Sequence, residues 1–83
     1  MKILDRLNNY INENMYKVIV TYNYVNIVNY REILDFDSNK ISIRNDKGIT
    51  CVIGKNLVIS KMLEDEILIT GNIDNIVMGR DNE

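Results

Sequence analysis

Between residues 15 and 79 short apolar runs recur at intervals of roughly ten residues, with small polar clusters between them. Tyr16 to Tyr22, Tyr24 to Val28 and Tyr30 to Phe36 are rich in β-branched and aromatic side chains, which favour strands. Asp37-Ser38-Asn39-Lys40 then reads as a turn, because Asp and Asn tolerate left-handed backbone and bond their own main chain. Ile41-Ser42-Ile43-Arg44 and Ile49 to Ile53 flank Asn45-Asp46-Lys47-Gly48, the pattern of a hairpin in which Gly48 supplies a positive φ. Gly54-Lys55-Asn56 reads as another tight connection, leading into Leu57 to Met62. Glu64-Asp65-Glu66 makes a polar turn before Ile67 to Thr70, and Gly71 breaks or bulges the chain ahead of Asn72 to Met78. The pattern predicts an all-β fold of about six short strands, an antiparallel meander rolled into a small barrel or sandwich. Its expected core is Ile41, Ile43, Ile49, Cys51, Ile53, Leu57, Ile59, Ile67, Ile69 and Ile73.

The first 14 residues follow a different period. Ile3, Leu4, Leu7 and Ile11 are spaced three and four apart, with Asp5, Arg6, Asn8, Asn9 and Asn12 between them. That spacing predicts a short amphipathic helix. So short a helix is marginal alone and needs a surface to pack on. The expected organisation is an amphipathic segment over 1–14, one β domain over 15–79 and a mobile tail over 80–83.

Length sharpens this picture. A domain of 83 residues buries only about 60% of the surface its unfolded chain exposes. Yet Val18-Ile19-Val20, Thr50 to Ile53, Leu57-Val58-Ile59 and Ile67-Leu68-Ile69 are apolar on both strand faces. A sheet with one wet face should alternate more strictly. The second face is therefore expected to be covered, by the N-terminal segment folding back over it or by another subunit, with Ile3, Leu4, Leu7 and Ile11 as candidate contacts and a homo-oligomer as the expected state.

Chemistry adds little. The chain has no histidine, hence neither the commonest general base nor the commonest metal ligand. The lone Cys51 lies mid-strand with no base to activate it, and is expected to be a buried structural thiol. Glu64, Asp65 and Glu66 fall in a turn where water should keep all three ionised. The loops led by Gly54 and Gly71 run into strands, whereas phosphate loops open helices. No metal, cofactor or small-molecule substrate is expected, and the chain is read as a non-enzyme. The net charge of −2 gives no basic field for nucleic acid. Tyr10, Tyr16, Tyr22, Tyr24 and Tyr30 crowd the N-terminal third, where packing is the commoner use of tyrosine. No apolar run approaches the ~20 residues needed to cross a bilayer. Nor does an uninterrupted apolar core or cleavage site follow Lys2, so the expected place is inside the cell.

Two segments carry a family resemblance. Gly54-Lys55-Asn56-Leu57-Val58-Ile59-Ser60-Lys61-Met62, followed by Glu66-Ile67-Leu68-Ile69-Thr70-Gly71-Asn72-Ile73, resembles the core of the YabP/YqfC family of bacterial sporulation proteins. There a strand opening on Gly-Lys/Arg leads through an acidic turn to a strand ending in Gly-x-Ile. The hairpin at Ile41 to Gly48, preceded by Tyr30 to Phe36, fits in place and spacing, so the likeness spans roughly residues 25–78. The resemblance implies production in the mother cell during endospore formation, in the cytoplasm, alongside a membrane-protein partner. It brings no catalytic residues. An alternative rests on the order of elements: a short helix, about five strands and Ile69-Thr70-Gly71-Asn72 near the end also resemble an Sm-like RNA-binding ring. The acidic charge counts against that reading.

Overall fold

The computed structural model describes residues 15–81. It is all-β: six antiparallel strands in one open sheet, with no helix among the described residues. The strands are β1 (Lys17–Val20), β2 (Tyr24–Val28), β3 (Glu32–Phe36), β4 (Lys40–Asn45), β5 (Gly48–Met62) and β6 (Glu66–Arg80). Four of them are short, as expected, but β5 and β6 run to 15 residues each. Each fuses two of the apolar runs that the sequence separates with glycine.

The reason lies in how the two glycine segments meet. Gly54 pairs with Ile73 and Lys55 with Asn72 across the β5–β6 ladder. At that point β6 carries one extra residue, Asp74, and just beyond it β5 carries one extra residue against Gly71. These are β-bulges, which bend a strand and increase its twist without reversing it. Asn56 (φ 56°) and Gly71 (φ 139°) hold the left-handed conformations the bend requires. A side chain on Gly54 would run into the Asn72 carbonyl oxygen, so Gly54 is there to let the backbones approach. The expected tight turn at Gly54-Lys55-Asn56 is therefore a corner in a continuous hairpin. Gly48, too, has no positive φ; its bare backbone admits the Gly79 carbonyl of β6.

Beyond the corner the strands change neighbours. The first half of β5 lies between β4 and β6, whereas Val58 to Met62 pair with β6 alone. The first half of β6 lies between β5 and β2, whereas Asn72 to Arg80 pair with β5 alone. The order is thus β1-β2-β6-β5-β4-β3: a meander from β3 to β6, to which the β1–β2 hairpin adds on through β6. Only Asn29, Tyr30 and Arg31 join β2 to β3, at opposite sides of that order. In a flat sheet four strand spacings would separate them, about 19 Å, and the connector reaches about 14 Å at most. The sheet must curl. Asn29, with φ 65°, makes the bend and donates to the Asp65 carbonyl at 2.6 Å, and Arg31 N donates to the Arg44 carbonyl at 2.8 Å.

Curling brings the inner faces of both halves together. Val25 and Ile27 of β2, Ile41 and Ile43 of β4, Val52 and Leu57 of β5, and Ile67 and Ile69 of β6 form one buried cluster. Ile33, Ile59, Ile73 and Ile76 pack against it. Ile49, Cys51 and Ile53, expected inside, lie on the other face and are half-buried. The cause is the two-residue turn Asp46-Lys47, which sets Ile41 opposite Val52 and Ile43 opposite Thr50. Directly opposed residues share a face, so the inward set on β5 is Gly48, Thr50, Val52 and Gly54. Thr50 is fully buried and satisfied by the Tyr16 hydroxyl, which donates to its Oγ1 at 2.6 Å. Cys51 instead sits 3.6 Å from the Ser42 hydroxyl.

Three substitutions check this packing. Ile69→Ala, at a site with no solvent exposure, should cost about 2–5 kcal/mol in urea unfolding. Gly71→Ala should cost about 1–3 kcal/mol, because its Cβ would meet the Asn56 carbonyl oxygen at 2.6 Å on a left-handed backbone. Gly79→Ala, whose nearest atom would lie at 3.6 Å, should change stability by less than about 0.5 kcal/mol.

Candidate interaction edge

An open sheet leaves backbone donors and acceptors along its edges, and these are where a strand from another protein can add. Four stretches lack a ladder partner on one side among the described residues: β1, β3, Val58 to Met62 of β5, and Asp74 to Arg80 of β6. They differ in how well they could accept one. On β3 the register slips between Ile33 and Asp35, leaving Leu34 as an extra residue, and Glu32 and Asp35 give it like charges, with Asp37 just beyond its end. A bulge and like charges both oppose pairing. In β5 the free stretch is broken at Ser60, whose hydroxyl bonds that of Thr70. The β1 edge is regular but only four residues long.

The edge of β6 is longer and regular. From Asn75 to Arg80 its register against β5 is uninterrupted, running Ile53↔Asn75 to Gly48↔Arg80. Ile76, Met78 and Arg80 lie on the inner face, opposite Val52, Thr50 and Gly48; Val77 lies on the outer face, opposite Cys51. Val77 is 47% exposed and Met78 60%, so apolar area remains on both faces. Two clefts flank this edge. One, of about 550 Å³, is lined by Ile73 to Ile76 and by Val20, Thr21 and Tyr22. The other, of about 690 Å³, lies between Met78 to Arg80 and Met15, Tyr16, Asn45 to Lys47, Asn29 and Thr50.

Charge is sparse around the edge and mostly committed elsewhere. Arg31 grips Asp46 through two hydrogen bonds, the Nη2 one at 3.0 Å, which ties the β2–β3 connector to the β4–β5 turn. That bonding holds the Asp46 carboxyl below its ordinary range and raises the Arg31 guanidinium. Both groups are fully solvated, so the pair is a weak staple. Arg44 reaches Asp81 at 3.3 Å. Asp74 and Arg80, on the β6 edge itself, take part in no ion pair among the described residues.

The residues singled out in the sequence are scattered. Ile3, Leu4, Leu7 and Ile11, together with Tyr10, lie outside the described residues. Glu64 and Asp65 are exposed in the β5–β6 turn, while Glu66 opens β6 and accepts from Asn26 Nδ2 at 3.0 Å. Tyr16 and Tyr30 pack against the core, and the Tyr30 hydroxyl donates to the Leu63 carbonyl at 3.2 Å. Tyr22 is almost fully exposed at the cleft. Among the described residues no group of three or more Asp, Glu, Cys or His could hold a metal, and no helix is long and apolar enough to cross a membrane. The sequence pattern did not single out the β6 edge. Its signal was the run Ile76-Val77-Met78, apolar on both faces and bracketed by Asp74 and Arg80.

The comparison with known proteins agrees with the resemblance carried by the two glycine segments. Over 51 residues the chain is 37% identical to the Bacillus subtilis (strain 168) protein YqfC, a match covering 61% of this chain and 55% of that protein. The chain thus spans about half the length of the curated relative it matches. The YabP family model matches residues 14–83, all but the N-terminal segment, and the chain belongs to the YabP family.

Proposed function

We propose that this chain is a non-enzymatic sporulation protein, a small assembly module that works in the mother cell by docking on other proteins, a membrane protein among them. The observation that carries this reading is the β6 edge: regular backbone, unladdered among the described residues, with exposed apolar side chains on both faces and a cleft at each end. An edge of that kind is costly to leave open, because it invites non-specific pairing. Its retention beside a defended β3 edge favours a docking role. Family membership supports the sporulation setting. The residues of the family resemblance are spent on the sheet corner, where Gly54, Asn56 and Gly71 are needed for geometry rather than for chemistry.

The test is genetic and biochemical. Deleting the gene in its spore-forming host should lower the yield of heat-resistant spores and leave vegetative growth unchanged. Wild type supplied in trans should restore the yield. Val77→Asp combined with Met78→Asp should fail to restore it, although the purified variant keeps a β spectrum. A deletion strain with full spore yield, or full rescue by the double variant, would contradict the proposal.

A further inference from the structure

We infer that the β6 edge pairs with the same edge of a second copy of this chain, joining two sheets about a two-fold axis. This rests on the assembly reading above and names its partner and register. The argument is self-complementarity. A two-fold antiparallel pair places one residue opposite its own copy, and every other residue opposite its mirror about that point. With Val77 at the axis, Met78 faces Ile76 of the second copy, Gly79 faces Asn75 and Arg80 faces Asp74. Shifting the register to place Ile76 or Met78 at the axis loses the Arg80–Asp74 opposition. The register at Val77 thus puts an apolar centre between two identical ion pairs, made from the two edge charges that take part in no ion pair among the described residues.

Ile76, Met78 and Arg80 share the inner face, and the bulge at Asp74 falls where the regular edge ends. An added strand would lie over both clefts and cover Val20, Tyr22 and Met15 from β1 and its flanks. The competing edge of β3, carrying Glu32 and Asp35, has no basic residue of its own to meet.

Charge reversal tests the register. Light scattering on wild type at tens of micromolar should give a dimer mass. Asp74→Arg and Arg80→Asp should each oppose like charges twice and raise the dissociation constant about tenfold or more. Mixing the two variants restores both opposite-charge pairs, so the mixture should return to a heterodimer near wild-type affinity. Val77→Cys in a Cys51→Ser background provides a second, independent readout. The residue at the axis meets its own copy and should cross-link on mild oxidation, and Leu34→Cys in the same background should not. A monomeric wild type overturns the inference, as do single reversals that dimerise like wild type, a mixture that stays monomeric, or equal cross-linking at positions 34 and 77. None of these results alters the spore-yield test, so the two readings fail separately.

Discussion

The fold depends on one steric arrangement: the close approach of two backbones where Gly54 and Lys55 of β5 pass Ile73 and Asn72 of β6. A side chain at Gly54 would occupy the space of the Asn72 carbonyl oxygen, and the left-handed backbone at Asn56 and Gly71 makes the bend. Because the hairpin bends there, the first half of β5 can serve β4 while the first half of β6 serves β2. Because those two ladders then face each other, eight apolar side chains from four strands meet in one cluster. The β3–β4 turn locks the corner from outside: Gly54 N donates to the Asn39 carbonyl at 3.0 Å and Leu57 N to the Ser38 carbonyl at 2.9 Å.

Much of this was legible in the sequence, and the failures have identifiable causes. The strand-rich pattern, the turn at Asp46-Lys47 and the inward set Ile41, Ile43, Leu57, Ile67 and Ile69 all follow from local signals. The misplacement of Ile49, Cys51 and Ile53 was avoidable. A two-residue turn fixes which parity faces inward across a hairpin, and hydrophobicity alone points the wrong way because Thr50 is the buried residue. The fusion of two runs into β5 was harder to see. Glycine followed by Lys-Asn reads equally as a reversal or a bulge, and only the partner segment at Gly71 decides between them. The pairing of β2 with β6 joins residues some 40 positions apart, and no local pattern encodes it. The burial of Val25 and Ile27 therefore leaves no local mark in the sequence.

The same geometry explains why an open edge exists. A bend that gives the first half of each long strand a second neighbour leaves the other half with one free side among the described residues. The molecule treats its free sides unequally. Like charges and a bulge sit on β3, a break at Ser60 interrupts β5, and β6 keeps a regular edge with Ile76, Val77 and Met78 between two opposite charges. Small domains have limited core to spend, and continuing a sheet into a neighbour adds burial without lengthening the chain. An assembly role for the YabP-family chain is therefore consistent with its economy of structure: the residues that identify it shape a corner, and the corner exposes an edge.

The most direct test of the account is the strand pairing around the corner, read by nuclear Overhauser contacts between backbone protons. The corner requires Ile53 to lie beside Asn75 and Ile59 beside Ile69, so that both apolar runs of β5 contact β6. The amides of Gly54 and Leu57, bonded to the β3–β4 turn, should exchange slowly with solvent. Contacts between residues 49–53 and 57–62 would instead show a hairpin that reverses at Gly54-Lys55-Asn56. That result would contradict the fold, the core and the edge together.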